Sequence, residues 1–356
     1  MGAPAARPPG SGDRITVAFD ALGAEAGFDA VSEGVALAAA DGIAVRVFGP
    51  ESALHGLGSG LVEVIDTTEA IGNDEEPVRA VRSRPEASIV RAAADVADGR
   101  SDALASPGST GATMTAALFA LKRIRSVQRP ALAVEIPAPG RGRPLLMLDV
   151  GANADARASH LVQFAFLGSA FAAAVLGVDR PRIGLLSVGA EAKKGSAVVV
   201  EAHEALAEAT GISFTGNVEG RDLLDPDLEV DVVVADGFTG NVVLKTIEGT
   251  ARAVGDAVGR AARSNPFAAA GGLLLRPALG GLRSDMDPDG TGGAILLGLR
   301  GVAVVGHGSS GPLGIANQIR LAARSVSERA VARTEELISS SGVGRSAIRA
   351  ARESEA

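Results

Sequence analysis

Short apolar runs of strand length recur along this chain, and most of them lead through a turn into a stretch with helical spacing. The segment "DVVVADGFTGNVVLKTIEG" at 231–249 shows the pattern: a β-branched run, a turn bearing two glycines, and apolar residues three and four positions apart. Such alternation is typical of a largely parallel sheet that carries helices on both faces. The sequence therefore predicts an α/β fold.

The alternation of strand-like and helix-like segments is interrupted once, by a predicted hairpin, and it does not extend into the two ends of the chain. The runs "RPALAVEIPAP" and "RPLLMLDVGAN" are separated only by "GRGR", which predicts a hairpin-like pair of strands. Apolar spacing near the end predicts one last long helix over roughly residues 312–338. Residues 1–13 are rich in Pro, Gly and Ala and are expected to be disordered, and 339–356 form a polar tail. The α/β domain is thus predicted to span 14–338.

Composition excludes several classes of protein. The net charge of −8 argues against a nucleic-acid-binding protein. The chain has no Cys, which excludes disulfides and Cys-ligated zinc, and its four histidines are too scattered to suggest a metal site. The start lacks the apolar core of a signal peptide, and no run reaches the roughly 18 apolar residues of a spanning helix. We expect a soluble, cytoplasmic protein without a bound metal.

Polar loops that contain glycine follow the predicted strands. They read "FDALGAE", "SPGSTGA", "LDVGAN", "SVGAEAKKG", "GNVEGRD", "DGFTGN" and "HGSS". Open α/β sheets bind ligands beyond the carboxyl ends of their strands. Glycine lets the backbone approach a ligand closely, and small hydroxyl and amide side chains add hydrogen bonds. The loops therefore predict an anion site.

The loop "SPGSTGA" is the strongest phosphate candidate because it opens a predicted helix. The free N–H groups of a first helical turn, together with the helix dipole, favour a bound anion. Ser106, Ser109 and Thr110 would add hydroxyl donors. The alternative is an ordinary Ser/Thr cap with a tight turn. The loop is not a Walker motif, because no Lys follows its last glycine.

Other residues at strand ends carry similar pairs of interpretations. Lys193 and Lys194 are either phosphate ligands or part of a solvated surface. His307, between two glycines, is either a general acid–base or a strand cap. Asp236 and Asn241 form either a wall of the site or a turn and helix cap. The remaining histidines are interpreted as helix-surface residues: His55, His160 and His203.

Taken in order, these motifs resemble those of the PlsX-type phosphate acyltransferases of bacterial phospholipid synthesis. The resemblance covers nearly all of residues 14–335, and its segments include "EEPVRAVR", "GSTGATMTAALF", "LLMLDVGANADARASHLVQFA", "VGAEAKKG", "GNVEGRDLL", "DVVVADGFTGNVVLKTIEG", "GGAILLGLRGV" and "HGSS". It implies a three-layer α/β/α sandwich with a mostly parallel sheet. This fold is similar to that of phosphate acetyltransferase and of isocitrate and isopropylmalate dehydrogenases.

The resemblance also implies an activity and its partners. An acyl group would pass from acyl carrier protein to inorganic phosphate, giving acyl phosphate, without a cofactor. A membrane glycerol-3-phosphate acyltransferase would use that product downstream. The family further implies a homodimer in peripheral contact with the inner face of the cell membrane. The apolar element 255–287 is the candidate membrane or dimer contact.

Matching the loops to this activity gives a set of candidate site residues. The reaction requires groups that place phosphate against the thioester and stabilise the developing oxyanion. Lys194, Asn241 and His307 are the candidates for catalysis. The candidates for binding phosphate or substrate are Asp20, Gly23, Ser106, Gly108, Ser109, Thr110, Gly111, Asn153, Lys193, Asn217, Asp236, Thr239, Lys245 and Ser309.

Several loop positions depart from the family's pattern, among them Ala192, which stands where an acidic residue commonly precedes the paired lysines. The first strand runs into "DALGAE" where the family reads Asp-Ala-Met-Gly-Gly-Asp, so Ala24 and Glu25 replace Gly and Asp, and Ser109 replaces Asn. These changes leave open a specialised or non-catalytic paralogue that binds acyl carrier protein or membrane. A CoA-dependent phosphate acyltransferase is a further alternative. A metal-dependent dehydrogenase of related fold would need an aspartate cluster that the sequence does not show.

One basic segment is a candidate contact for acyl carrier protein, which is acidic. The segment "LKRIRSVQR" supplies Lys122, Arg123, Arg125 and Arg129. The alternative is a solvated helix end.

Overall fold

The computed structural model describes residues 14–58, 60–285 and 288–343, and within these ranges eleven strands form one sheet. The strands are β1 (Thr16–Asp20), β2 (Ala44–Gly49), β3 (Val62–Asp66), β4 (Ala103–Ser106), β5 (Ala131–Ile136), β6 (Leu145–Leu148), β7 (Arg182–Ser187), β8 (Ser213–Glu219), β9 (Val232–Val234), β10 (Ala294–Leu297) and β11 (Val302–Val305). Their order across the sheet is β3-β2-β1-β4-β11-β10-β5-β6-β9-β7-β8.

Helices cover both faces of the sheet. They are α1 (Phe28–Ala40), α2 (Pro77–Ser83), α3 (Ser88–Ala97), α4 (Thr110–Leu121), α5 (Ala158–Ala174), α6 (Ala197–Ala207), α7 (Gly237–Ala262), α8 (Pro266–Asp285), α9 (Pro312–Ser327) and α10 (Ala330–Ser340). Apolar residues of α1, α5, α6, α9 and α10 form the core on one face, and those of α2, α3, α4 and α7 form the core on the other. The three-layer α/β/α sandwich is confirmed.

Alternation along the strands supplies both cores. Val17 and Phe19 of β1 face one core, and Ala18 between them faces the other, as the two-residue repeat of a strand requires. A central strand with helices on both faces is apolar at nearly every position. This is why β6, β9, β10 and β11 appear in the sequence as continuous apolar runs.

The hairpin of β5 and β6 reverses the direction of about half the sheet. These two strands pair antiparallel, with Ala133 opposite Leu148, as predicted. β10 is antiparallel to both of its neighbours, and the other pairs are parallel, so the sheet is mostly parallel. Consequently β1–β5 and β11 run one way, and β6–β10 run the other way.

This reversal places the strand-end loops at two opposite edges. β1, β4 and β11 end at one edge of the sheet, which we call the Asp20 edge. β6, β9, β7 and β8 end at the opposite edge, which we call the Asn153 edge. Loops that look equivalent along the sequence therefore lie on different sides of the molecule.

The prediction of one last long helix is wrong. The segment forms two helices, α9 and α10, separated at Arg329, whose φ of 55° is left-handed. A left-handed residue cannot continue a right-handed helix. The apolar spacing runs through the break because both helices bury residues in the same core, Ile319 from α9 and Ile338 from α10.

Helices α7 and α8 form a hairpin that projects from the sheet. Gly237 and Gly240, in the first turn, are the buried residues of α7, and α8 packs against α7. Within the described ranges no helix is both long and apolar enough to span a bilayer. The predicted tail 1–13, residues 344–356 of the predicted C-terminal tail and residues 286–287 of the apolar element lie outside the described residues. The division into tails and domain stays a prediction.

Candidate active site

A buried carboxylate lies at the centre of the Asp20 edge. Asp20, the last residue of β1, is 3% exposed and accepts hydrogen bonds from Ser88 Oγ at 2.5 Å and from Ser106 Oγ at 2.8 Å. Burial raises the pKa of Asp20 above its ordinary value, and the bonds from Ser88 and Ser106 oppose that rise. This carboxyl therefore holds a proton more readily than an exposed aspartate does.

Ser106, the last residue of β4, joins this carboxylate to the start of α4. Its hydroxyl oxygen accepts hydrogen bonds from the N–H of Gly108 and from Thr113 Oγ1, each at 3.1 Å. The loops after β1 and β4 touch through glycines, because a Cβ on Gly23 would lie 2.4 Å from the Cα of Gly108. The two loops are thus fixed relative to one another.

The N-terminus of α4 is both capped and open. The Ser109 side chain accepts a hydrogen bond from the N–H of Ala112 at 3.5 Å, which makes it the N-cap. The N–H groups of Thr110 and Gly111 have no acceptor in the described part of the chain. The two interpretations of this loop, a helix cap and an anion site, are therefore compatible.

The loop after β11 joins the same edge. The N–H of Gly306 donates to the carbonyl of Ser106 at 2.8 Å, which sets the two loops side by side. His307 Nδ1 and Ser309 Oγ lie 3.0 Å apart, and His307 is exposed. An exposed imidazole therefore lies beside the loop that opens α4.

The departures from the family's pattern at Ala24 and Glu25 are accommodated locally. Ala24 has an extended backbone with φ of −82°, so its Cβ introduces no backbone strain. The N–H of Glu25 donates to the carbonyl of Gly308 at 2.8 Å, and its carboxylate lies over Gly308. Glu25 therefore contacts the His307 loop directly.

A second buried carboxylate organises the Asn153 edge. Asp149, which follows β6, accepts hydrogen bonds from the N–H groups of Leu132, Ala152 and Asn153 and from Nδ2 of Asn153, at 2.7–3.0 Å. Burial raises the pKa of Asp149, and these hydrogen bonds oppose the rise. Asn153 Nδ2 also donates to the carbonyl of Pro130 at 2.8 Å, so the loop is tied to the start of β5.

The "DGFTGN" loop caps α7 and joins this edge. The carboxylate of Asp236 accepts hydrogen bonds from the N–H groups of Phe238 and Thr239, at 3.0 and 2.8 Å, and from Thr239 Oγ1 at 2.7 Å. Asn241 Nδ2 donates to the carbonyl of Val150 at 2.9 Å. Asp236 is therefore the N-cap of α7, and Asn241 ties the loop after β9 to the loop after β6.

The lysine loop after β7 lies further along the same edge. Lys193 and Lys194 are exposed and form no ion pair with any described residue. Asn217 shapes this loop, because its Nδ2 donates to the carbonyl of Glu191 at 2.9 Å, while its Oδ1 lies 2.9 Å from His203 Nδ1. Lys245, by contrast, forms a surface ion pair with Glu248 on α7.

The interpretation of the other histidines as helix-surface residues is wrong for His160, which is buried, and for His55, which does not lie on a helix. Helix α5 is buried almost all round, and His160 is 7% exposed and stacks on Phe164. His203 lies on α6 and is half-buried, and His55 lies in an exposed turn.

The structure divides the candidate residues between the two edges and does not bring the two sets together within one chain. The Asp20 edge holds Asp20, Gly23, Ser106, Gly108, Ser109, Thr110, Gly111, His307 and Ser309. The Asn153 edge and the start of α7 hold Asn153, Lys193, Lys194, Asn217, Asp236, Thr239, Asn241 and Lys245.

Sequence reasoning missed three residues that hold these loops. Ser88 bonds to Asp20 but lies 68 residues away, with no polar motif around it. Thr113 lies one turn inside α4. Asp149 stands within "LDVGAN", and its position at the end of an apolar run was the signal that could have identified it.

Comparison with known proteins identifies the family. A family model described as fatty acid synthesis protein matches residues 15–333. A phosphate acyltransferase of Streptococcus suis (strain 05ZYH33) is 45% identical over 299 residues, which cover 83% of this chain and 88% of the relative. The chain belongs to the phosphate acyltransferase family. A phosphate acyltransferase of Bacillus licheniformis is 43% identical over 328 residues, covering 91% of this chain and 98% of the relative.

Solved structures with the same fold include a phosphotransacetylase, a branched-chain phosphotransacylase and a dehydrogenase. A phosphotransacetylase from Streptococcus pyogenes matches with a TM-score of 0.56 and 18% identity over 89% of this chain and 95% of that chain. A branched-chain phosphotransacylase from Enterococcus faecalis V583 matches at 0.53 and 15%, covering 88% and 99%. A 4-hydroxythreonine-4-phosphate dehydrogenase from Klebsiella pneumoniae matches at 0.50 and 16%, covering 87% and 98%. At these identities the matches show the fold alone.

Proposed function

We propose that this member of the phosphate acyltransferase family transfers a long-chain acyl group from acyl carrier protein to inorganic phosphate. The products would be acyl phosphate and free acyl carrier protein, for use in phospholipid synthesis. The observation that carries the proposal is the open N-terminus of α4, set beside the buried Asp20–Ser106 pair in a chain of this family.

Inorganic phosphate is proposed to bind at the Asp20 edge. The unpaired N–H groups of Thr110 and Gly111 point from the first turn of α4, where the helix dipole favours a negative charge. Asp20 does not face phosphate as a free carboxylate. It accepts the hydrogen bond of Ser106 and so helps to hold the loops after β1 and β4 in register.

The main tasks of the protein in this reaction are to place phosphate against the thioester and to stabilise the developing negative charge. A phosphate oxygen attacks the thioester carbonyl carbon, the C–O bond forms, and the C–S bond then breaks. The departing thiolate takes up a proton to give the thiol, whose ordinary pKa of about 8.5 makes it a good leaving group. Backbone amides and the exposed His307 would stabilise the developing oxyanion. No thiolate nucleophile is needed, which suits a chain without Cys.

The candidates Lys194 and Asn241 lie at the other edge, so their proposed catalytic roles need a separate test. Alanine variants of Lys194, Asn241 and His307 should be ranked by turnover. If only the His307→Ala variant loses turnover, the proposed chemistry is restricted to the Asp20 edge.

The proposal is tested by trapping the product. The full chain is incubated with palmitoyl-acyl carrier protein and inorganic phosphate, and acyl phosphate is captured with hydroxylamine. Hydroxamate that depends on phosphate is the expected result. A folded protein that forms none with this donor, or with palmitoyl-CoA, would overturn the proposal and favour a non-catalytic paralogue. Turnover with palmitoyl-CoA alone would identify a CoA-dependent enzyme.

The same proposal includes a peripheral location at the inner face of the cytoplasmic membrane, where a membrane glycerol-3-phosphate acyltransferase would receive the acyl phosphate. Its support is the hairpin of α7 and α8. Phe267 is 91% exposed, and the run Leu273, Leu274 and Leu275 is also exposed. Exposed apolar side chains on a projecting element are suited to a bilayer or to a second copy in a homodimer.

A further inference from the structure

We infer that acyl carrier protein docks on a basic surface at the Asn153 edge, made of the loop 122–129 and the turn 298–301, and that its prosthetic arm follows α4 to the phosphate loop. The inference rests on the proposed function, because it names the binding surface for the proposed acyl donor. We call the two segments together the basic surface.

The basic surface joins two segments that are far apart in sequence. The N–H of Arg300 donates to the carbonyl of Lys122, and the N–H of Ile124 donates to the carbonyl of Gly298, both at 3.0 Å. The turn between β10 and β11 therefore lies against the end of α4. Arg300 joins a cationic group that the sequence shows only as "LKRIRSVQR".

A fixed backbone presents these cations. Ile124 and Val127 are buried and anchor the loop in the core. The fully buried Gln163 accepts a hydrogen bond from the N–H of Gln128 at 2.8 Å and donates to the carbonyl of Ser126 at 3.0 Å. A surface held in this way loses little conformational entropy when a partner binds.

Four cations of the basic surface form no ion pair within the described part of the chain. Lys122, Arg125, Arg129 and Arg300 are exposed and take part in no ion pair there, and neither segment contains an acidic residue. The whole chain, however, carries a net charge of −8. A local basic surface on an acidic protein attracts an acidic partner and selects its orientation. Acyl carrier protein is an acidic partner that the proposed reaction requires.

Helix α4 connects the basic surface to the phosphate loop. Thr110, Met114 and Leu118 are spaced by four residues, so they follow one face of the helix, and Lys122 stands directly after its last residue. Its 12 residues span about 18 Å at roughly 1.5 Å per residue. A phosphopantetheine arm is an extended chain of comparable length.

Helix α2 packs against α4 beside this face. On the adjoining face, Gly111 lies against Pro77, and the guanidinium of Arg82 stacks over the Phe119 ring at 5.2 Å. Met114 and Leu118 are half-buried. Their side chains offer an apolar track along α4 for the prosthetic arm, between the basic surface and the phosphate loop.

Charge reversal tests the docking surface. We expect Arg125→Glu and Arg300→Glu each to raise the KM for palmitoyl-acyl carrier protein several-fold, and the double variant on the order of tenfold, while the KM for phosphate is unchanged. The rise should shrink at high salt because exposed charges are screened. Arg180→Glu is the matched control, since Arg180 is exposed in the turn before β7 and lies at the opposite edge from the basic surface. Palmitoyl-pantetheine, which lacks the carrier protein, should show no difference among the variants.

Several outcomes would overturn the inference. The docking surface is excluded if Arg300→Glu and Arg125→Glu change the KM no more than Arg180→Glu does. It is also excluded if they weaken flotation with anionic vesicles but leave binding of palmitoyl-acyl carrier protein unchanged.

A second variant tests the track along α4. Leu118→Trp, checked for folding by thermal melting, should obstruct the track and lower turnover without weakening binding of palmitoyl-acyl carrier protein. Unchanged turnover would exclude the track. Direct binding of palmitoyl-acyl carrier protein separates this inference from the proposed function, because binding can be lost on charge reversal even in a chain that shows no turnover.

Discussion

The hydroxyl of Ser106 donates a hydrogen bond to the carboxylate of Asp20 over 2.8 Å, in a place where both side chains are buried. The two residues end strands that lie side by side in the sheet, although 86 positions separate them in sequence. Ser106 also accepts the N–H of Gly108, so the pair connects the core of the sheet to the loop that opens α4. The position of the proposed phosphate loop thus depends on a buried polar pair.

Removing the hydroxyl of Ser106 should affect both stability and activity. Ser106→Ala leaves the buried Asp20 short of a donor and should cost about 1–3 kcal/mol in the free energy of unfolding. Ser101→Ala is the matched control, because Ser101 Oγ donates to the buried Asp95 at 2.6 Å, away from the loop. Both variants should lower the denaturant midpoint. Only Ser106→Ala should raise the KM for phosphate, and equal effects of the two variants on that KM would contradict the assignment.

The raised pKa of Asp20 predicts a pH-dependent effect of Asp20→Asn. The native state holds the proton of Asp20 more tightly than the unfolded chain, where the pKa returns to 3.8. The stability due to this tighter binding is complete below pH 3.8 and is lost as the pH rises through the raised native pKa. The free energy of unfolding of wild type minus that of Asp20→Asn should therefore fall as the pH rises through this window. Urea unfolding at a series of pH values measures it, and a difference that grows with pH would show the opposite shift.

Asp236 should contribute mainly to stability, through the cap of α7. Asp236→Ala removes the acceptor for two backbone N–H groups and should destabilise the chain by about 1 kcal/mol. Asp236→Ser restores a capping oxygen and should recover most of that loss. Chemical denaturation compares the two variants. If turnover falls equally in both while only the alanine variant loses stability, Asp236 has a role beyond the cap.

A glycine in the first turn of α7 sets how closely this helix approaches the β6 loop. A Cβ on Gly240 would lie 2.0 Å from the carbonyl oxygen of Asp149, and the backbone cannot yield without moving the loop. Gly240→Ala should destabilise by about 1–3 kcal/mol. The control lies on the same helix: Gly249 has open space around it, so Gly249→Ala should stabilise by up to about 1 kcal/mol. Thermal melting of both variants tests this contrast. A change of Tm of similar size and direction in the two variants would contradict it.

The exposed leucines of α8 are predicted to drive membrane contact. Replacing Leu273, Leu274 and Leu275 with serine removes exposed apolar surface without opening a cavity, so folding should be unchanged. The triple variant should lose flotation with vesicles of bacterial lipid composition. Flotation equal to that of the wild type would refute the predicted membrane contact of these leucines. If the triple variant keeps flotation but no longer forms a dimer, this face of α8 packs against a second copy of the chain.

Several features of this protein could be predicted from local pattern alone. Apolar runs alternating with helical spacing predicted the layers of the sandwich, and "GRGR" between two runs predicted the β5–β6 hairpin. Ser109 and Asp236 have the side chains of N-caps and stand directly before helices, so both capping interpretations were available from sequence. These features depend on neighbours within a few residues. The break at Arg329 was missed because a single left-handed residue leaves the apolar spacing intact.

Strand order and direction were decided only by the tertiary structure, because they depend on pairings between distant segments. The antiparallel placement of β10 and the reversal after β5 send the "SPGSTGA" and "DGFTGN" loops to opposite edges, although both follow apolar runs and open helices. The same long-range pairing brings Ser88 to Asp20 and Arg300 to Lys122. The sequence by itself determined which residues end strands and begin helices. The tertiary structure decided which of those ends meet, since a strand's own residues do not specify the direction of the strand beside it.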